Sequence, residues 1–328
     1  VINYKSGKDL SNTLDLKIEN EGKDLEGVMD SVHEFLNYSQ RTTHPQFNNQ
    51  LYGGFHFEAL MGEIVSFVAN TSLSTYEVSP VATIIENRMI EEINSLIGFD
   101  NGSGIMCTGG SNANLLAVHC ARDRMFPEAK TKGNPNQDIC VFVSKAAHYS
   151  FKKAANLLGI GMNNVVPVEV NEEGEMIPEA LESQIIRSIR DGKTPLMVAS
   201  TAGTTVMGAF DPIKENDVIA KKYNLWHHVD GAWGGAVMFS SDKKRFLEGV
   251  ESVDSFTFDA HKMMGTGLIT SFFCVQDPEA LRSANSGGGS SYLFHEYENA
   301  DYDTGAYSLQ CGRKVDSLKM WLLWKSQG

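Results

Sequence analysis

The sequence is short of the features that mark several large protein classes. No uninterrupted apolar run reaches the roughly 20 residues that cross a bilayer. The N-terminal stretch "VINYKSGKDLSNTLDLKIENEG" is polar and lacks the apolar core of a secretion signal. Basic residues are outnumbered: 28 Lys and Arg face 41 Asp and Glu, and the net charge of -13 argues against a phosphate-backbone binder. Cysteine is sparse. Cys107, Cys120, Cys140, Cys274 and Cys311 are odd in number and form no C-x-x-C pair. Three lie in apolar segments, so they read as buried thiols of a reducing compartment rather than a disulfide frame. Neither G-x-G-x-x-G nor a P-loop occurs, which discourages nicotinamide and nucleoside triphosphate readings. The expectation is a cytoplasmic chain without nucleic-acid or membrane partners.

What is present fits a globular α/β protein. At 328 residues the chain can hold one large α/β domain or two smaller ones. Residues 1–55 are polar and loop-rich, with one helix expected at "LEGVMDSVHEFLNYS". The stretch "SPVATIIENRMIEEINSLIG" predicts an amphipathic helix, with Ser79 as cap, Pro80 in the first turn, apolar positions at 81, 85, 89, 93 and 96–97, and Gly98 as stop. "CTGGSNANLLAVHCARDRMF" reads as a glycine turn opening another helix. Short apolar runs then alternate with helical ones: "DICVFVS", "NNVVPVEV", "LMVAST", "LWHHVD", "SFTFDA" and "ITSFFCV" are the strands. That alternation implies a mainly parallel sheet covered on both faces, with functional groups gathered where strands end.

Five features sit at such ends. Lys262 follows "SFTFDAH", among apolar residues and glycine, a setting in which a partly desolvated amine can act as a nucleophile. Gly109, Gly110 and Ser111 place a close-approach turn at a helix N-terminus, which suits a phosphate, although such turns are structural more often than not. Asp230 ends an apolar strand and needs a partner, with a helix cap or a metal ligand as the bland alternatives. The adjacent His227 and His228 cannot chelate one ion, because strand neighbours point to opposite faces, so no metal is expected and one of them is expected in the core. Thr201, Thr204 and Thr205 follow "LMVA", and His148 follows "DICVFVS"; each alone is more often structural.

Together the five describe one chemistry. A cofactor with a phosphate, a basic ring nitrogen and an aldehyde would use the glycine turn, Asp230, a stacking His148 and Lys262. That cofactor is pyridoxal 5′-phosphate, with its lysine Schiff base and acidic ring partner. Between Asp230 and Lys262 there is room for one helix and a return strand.

With these residues in place, the chain resembles the group II pyridoxal-phosphate-dependent amino acid decarboxylases, and within them the branch of glutamate, cysteine sulfinate and acidic amino acid decarboxylases. The resemblance rests on "HPQFNNQLYGG", "YEVSPV", "TAGTTVMGAFDPI", "LWHHVDGAWGG", "HKMMG", "SYLF" and "YDTGAYSLQCGRKVDSLKMWLLWK", in order from His44 to Lys325. It implies fold type I, the aspartate aminotransferase-like large domain, over residues 56–328. Ahead of that domain it implies a substrate-contacting segment in residues 1–55. It assigns Lys262 as the Schiff-base lysine, Asp230 as ring partner and His148 as the stacking histidine. Gly110, Ser111, Thr205, Ala232 and His261 become further cofactor contacts. Gln50, Leu51 and Tyr52 become substrate contacts. Tyr292 becomes the proton donor on a mobile loop, for which "SGGGSS" is either a hinge or a plain linker. The reaction implied is loss of CO2 from a small acidic L-amino acid such as aspartate, cysteine sulfinate or glutamate, by a homodimer with shared sites.

The chain departs from the branch in three places. Asp259-Ala260-His261-Lys262 stands where members usually read Asn-Pro-His-Lys, which puts an acid near a phosphate. Asp230-Gly231-Ala232 stands for Asp-Ala-Ala. The small C-terminal domain of the family, with its carboxylate-binding arginine, is expected to be absent after "WLLWKSQG". A transaminase, a carbon–sulfur lyase or a cofactor-binding chain without turnover are the rival readings.

Overall fold

The computed structural model describes residues 2–48, 50–286 and 297–328. Two compact units divide at Gly54 and Phe55.

The first unit carries α1 (Gly7–Thr13) and α2 (Leu25–Tyr38). Both begin on a side-chain cap: Ser6 Oγ accepts from Asp9 N–H, and Asp24 Oδ1 accepts from Gly27 N–H at 2.9 Å. Neither helix has a buried residue, and the apolar Val28, Met29, Val32, Phe35 and Leu36 of α2 are exposed. The expected helix at 25–39 is present.

The second unit is an α/β layer structure. Its elements are α3 (Phe57–Ala69), α4 (Pro80–Ile97), β1 (Ser103–Cys107), α5 (Gly110–Met125), α6 (Ala129–Lys132), β2 (Ile139–Ser144), α7 (Ser150–Leu157), β3 (Val165–Val168), α8 (Pro178–Arg190), β4 (Thr194–Thr201), α9 (Ile213–Lys222), β5 (Trp226–Gly231), β6 (Ser255–Asp259), β7 (Ser271–Val275), α10 (Ala280–Asn285) and α11 (Ser317–Gln327). One seven-stranded sheet runs β1-β7-β6-β5-β4-β2-β3. Only β7 opposes the others: it is antiparallel to both β6 and β1, and the remaining pairings are parallel.

Strand alternation decides which helices cover which face. Phe273 and Val275 of β7 join Leu116, Ala117 and Cys120 of α5 and Phe151 of α7 in one core, with Leu281 of α10. Phe272 and Cys274, one residue out of step, join Ile85, Met89 and Ile93 of α4 and Phe256 and Phe258 of β6 in another, with Met320 of α11. Cys140 and Phe142 of β2 meet Leu181 and Ile185 of α8 and Ala220 of α9. Fully burying each such aliphatic or aromatic side chain is worth about 1.5–3 kcal/mol, so the sheet is fixed from both faces.

Two details of α4 differ from expectation. Ser79 precedes the helix, but its hydroxyl makes no cap bond; Ser79 instead offers its carbonyl to Thr83 Oγ1 at 2.8 Å. Val81 is 70% exposed, because it lies on the outer face of the helix with Ile84, Arg88 and Glu91. The six expected strands form, and β1, "SGIMC", was not anticipated. Among the described residues no helix is long and apolar enough to cross a membrane.

Candidate active site

The parallel strands β4, β5 and β6 end side by side, with Thr201 opposite Asp230 and Asp230 opposite Thr257. Asp230 is buried. Its Oδ2 accepts from Asn114 Nδ2 at 2.7 Å and its Oδ1 from Ala232 N–H at 3.1 Å. Both donors are neutral, and among the described residues Asp230 makes no ion pair. The partner that the sequence demanded is therefore an amide and a backbone N–H, and no protein cation.

The end of β6 is arranged differently. Asp259 is also buried, and its Oδ2 lies 3.3 Å from Lys262 Nζ and 3.7 Å from His261 Nε2. The same oxygen accepts from Gly110 N–H at 3.3 Å, and Ser271 Oγ donates to Oδ1. Lys262, whose side chain is 24% exposed, is thus held by a carboxylate three residues before it. Of the two methionines that follow it, Met263 is exposed and Met264 packs against the core.

Two glycines let these elements meet. A Cβ on Gly110 would lie 2.8 Å from Asp259 Oδ2 and 3.0 Å from Ala232 Cβ, so the start of α5 approaches both strand ends only without a side chain. At Gly231 a Cβ would press on the Phe256 ring at 2.7 Å and on the Thr257 carbonyl at 2.8 Å. The bulk of Phe256 on β6 therefore requires the glycine that distinguishes "DGA" here.

The two histidines tighten the picture. His148 lies half-buried in the turn between β2 and α7, and its Nδ1 accepts from Ser150 N–H at 3.3 Å. Burial holds its ring pKa below the usual value, against the nearby Asp230 charge and together with the Lys262 charge. His148, Asp230 and Lys262 therefore bear on one place. His261 Nδ1 accepts from Thr270 N–H at 3.1 Å, and burial likewise lowers its pKa, opposed by Asp259.

Gly110, Ala232, Asp259, His261 and Lys262 are brought together by direct contacts, with Asp230 and His148 beside them. Ser111 and Thr205 are exposed, one in the first turn of α5 and one on the loop after β4. Gln50, Leu51 and Tyr52 belong to the first unit, where the Tyr52 ring lies 6.1 Å from that of Phe47. Tyr292 lies outside the described residues. Sequence reasoning missed Asn114, although it stands one helical turn after Gly110 in "GSNAN", on the same helix face.

Pyridoxal phosphate fits this donor set. No atom lies within 4 Å of where a Cβ on Gly109 would sit, which leaves space before the α5 N-terminus. The buried Thr201 hydroxyl, opposite Asp230, has no hydrogen-bond partner among the described residues and can donate. Asp230 offers a negative charge without a cation, and Lys262 offers an amine. One N–H of the phosphate cradle, that of Gly110, is already engaged by Asp259.

A buried strand-end acid and a lysine amine three residues past the end of the next strand of such a sheet mark a pyridoxal-phosphate enzyme. The chain matches the model of the pyridoxal-dependent decarboxylase conserved domain over residues 8–328, and it belongs to that family. It is 38% identical to mouse (Mus musculus) cysteine sulfinic acid decarboxylase over 331 residues, which cover 100% of this chain and 67% of the relative. To human (Homo sapiens) acidic amino acid decarboxylase GADL1 it is 37% identical, over 100% of this chain and 64% of the relative. The chain thus spans about two thirds of the length of these relatives. The crystal structure of mouse CSAD superposes with a TM-score of 0.95 at 37% identity, over 100% of this chain and 69% of that one. Oryza sativa TDC with PLP and tryptamine, 23% identical, shares the fold with a TM-score of 0.91, over 100% of this chain and 69% of that one.

Proposed function

We propose that this chain decarboxylates a small acidic L-amino acid (aspartate, cysteine sulfinate or glutamate) to the amine and CO2. The observation that carries the reading is the seat of Asp230: a buried carboxylate held by neutral donors alone, on the strand beside the one that leads to Lys262. Such a charge is stabilised by a cation from outside the protein, and a protonated ring nitrogen is one. The acidic substrate class is supported by the two curated relatives, both named for acidic substrates.

When bound, pyridoxal phosphate supplies an electrophilic aldehyde and a ring that takes up the electron pair freed as CO2 leaves. Asp230 supplies the negative charge that keeps a proton at the ring nitrogen. Lys262 supplies the amine, which Asp259 orients from 3.3 Å. The first-turn N–H groups after Gly109, with Ser111, Thr205 and His261, hold the phosphate, and Ala232 lines the close approach. His148 offers the flat face of its ring. Gln50, Leu51 and Tyr52 contact the substrate, with Gln50 as donor to its distal acidic group, and Tyr292 returns the proton to the substrate carbon.

A homodimer is supported by apolar surface on the second unit. Ile64, Val65, Phe67 and Val68 of α3, with Val78, Val81 and Ile84 nearby in sequence, are all exposed. Exposed large apolar side chains grouped along one helix favour an interface. A reducing, cytoplasmic setting is supported by five free cysteines, of which burial raises the thiol pKa of Cys107, Cys120, Cys140 and Cys274.

The test is an absorbance spectrum of the protein with pyridoxal phosphate, followed by CO2 release from aspartate, cysteine sulfinate, cysteate and glutamate. A visible cofactor band that is lost in Lys262→Ala, with CO2 from at least one substrate, is expected. No CO2 from any of the four sinks the reading.

A further inference from the structure

The carboxylate of Asp230 is the last acceptor in a line of buried side chains, and the line admits one arrangement of protons. Asn114 lies 2.7 Å from Asp230 Oδ2. A carboxylate oxygen only accepts, so Asn114 must turn its Nδ2 toward it and its Oδ1 away. That Oδ1 faces His228 Nε2 at 3.0 Å. An amide oxygen only accepts, so Nε2 must carry a proton. His228 is fully buried, and burial pushes its pKa down to about 4, so the ring is neutral and Nδ1 is a bare lone pair. The Ser255 hydroxyl, 2.8 Å from Nδ1, must then donate to it. Ser255 Oγ has lone pairs left, and Trp226 Nε1–H, which can only donate, reaches it at 2.8 Å. The two ends of the line agree: the indole accepts nothing, and the carboxylate donates nothing.

The reverse arrangement fails at a named atom. If His228 carried its proton on Nδ1, its Nε2 lone pair would face Asn114 Oδ1 at 3.0 Å, with the Thr257 hydroxyl at 3.4 Å as the remaining donor among the described residues, and turning the amide to relieve that clash would set Asn114 Oδ1 against Asp230 Oδ2 at 2.7 Å. Two acceptors at that distance repel. Asn114 Nδ2 also donates to Ser150 Oγ at 2.9 Å, which holds the same orientation.

We propose that His228 and Asn114 are positioning residues for Asp230: through one fixed tautomer and one fixed amide orientation they keep its carboxylate an aimed acceptor for the cofactor's ring nitrogen. The proposal rests on the function given above. It makes His228 the distant end of the active site, not a core filler, because the residue that it orients is the one that the ring nitrogen meets.

Two measurements on the protein test it. In wild-type protein labelled with 15N-histidine, long-range proton–nitrogen correlation should show His228 with a pyrrole-like Nε2 and a pyridine-like Nδ1. Absorbance titration with pyridoxal phosphate should then show affinity falling about 10- to 100-fold in His228→Leu, the range of outer-shell partners. His228→Gln, which can still present an amide N–H to Asn114, should recover to within about threefold of wild type. Circular dichroism verifies that each variant is folded. The Nδ1–H tautomer in wild type overturns the proposal, as does a folded His228→Leu that binds pyridoxal phosphate as wild type does. If His228→Leu does not fold, the wild-type tautomer and the affinity of His228→Gln decide in its place. Wild type that binds no pyridoxal phosphate overturns the functional reading instead, and the tautomer separates that failure from failure of the hydrogen-bond line.

Discussion

Asp230 and Asp259 end neighbouring parallel strands, and both are buried, yet their surroundings are opposite in kind. Asp259 is met by Lys262, His261, Ser271 and a backbone N–H. Asp230 is met by an amide and a backbone N–H, with no cation among the described residues. A buried charge without a counter-charge is costly, so the two sites teach different things about what the fold is built to hold. Asp259 is completed by the protein itself. On the proposed function, Asp230 is completed by a cation that the cofactor brings. A third buried acid gives the scale: Glu86 on α4 meets Arg313 in a two-pronged pair, with Arg313 Nη2 at 2.8 Å from Oε2, and Arg313 also donates to the Met106 carbonyl and to Thr304 Oγ1.

The largest effect should come from breaking the completed pair. Arg313→Met leaves Glu86 buried without its cation and should cost about 3–5 kcal/mol of unfolding free energy, measured by chemical denaturation. Asp230→Asn, by contrast, leaves no buried charge unpaired, but its NH2 faces one of the two donors that Asp230 accepts from, so the cofactor-free protein should lose only about 1–3 kcal/mol. Its larger cost falls on chemistry: CO2 release should drop about 10²–10³-fold, as when one preorganised electrostatic group is removed. Comparable stability losses in the two variants would break the contrast between paired and waiting acids.

The pH dependence sharpens it. His228 has its pKa lowered from 6.5 to about 4, chiefly by burial, with Asp230 raising and His227 lowering it. The unfolded chain therefore binds the extra proton first. The stability contributed by keeping the ring neutral is present above pH 6.5 and is lost as pH falls toward 4. From pH 7 to pH 4, wild type should lose roughly 3 kcal/mol more than His228→Gln, read from denaturation midpoints at the two pH values. His119, His148 and His261, also lowered by burial, are common to both proteins and cancel. The smallest effect belongs to Asp259→Asn. It keeps an oxygen for Gly110 N–H, turns an NH2 toward Ser271 Oγ, which can accept it, and removes the charge facing Lys262 and His261, so CO2 release should change by less than about tenfold.

Much of this site could be read from the sequence, for a definite reason. An apolar strand that ends in an acid or a lysine is legible locally, because the cost of burying charge makes the exception informative. Asp230 and Lys262 are legible that way, and the glycine turn is legible from the close approach that it permits at a helix N-terminus. The opposite-face reading of His227 and His228 also holds: His227 turns to Asp217 and Ser200, and His228 to Asn114 and Ser255. What was not legible depends on separations that no local pattern reports. Asn114 reaches Asp230 and His228 from a different helix, and Arg313 meets Glu86 from near the other end of the unit. β1 escaped because "SGIMC" is short and contains Gly104, and the reversed direction of β7 escaped because an apolar strand reads alike in either direction. Asp259 and Lys262 are close in sequence, but whether a strand-end residue and a loop residue three apart face one another depends on the turn between them.

The central claim is that Asp230 awaits a cation whereas Asp259 already has one. The most direct test is to titrate wild type, Asp230→Asn and Asp259→Asn with pyridoxal phosphate and follow the bound-cofactor absorbance. The account predicts affinity at least about tenfold weaker in Asp230→Asn, and in Asp259→Asn affinity at least equal to wild type, because a negative charge beside the phosphate cradle is gone. Equal weakening in both variants, or wild-type affinity in Asp230→Asn, would contradict it.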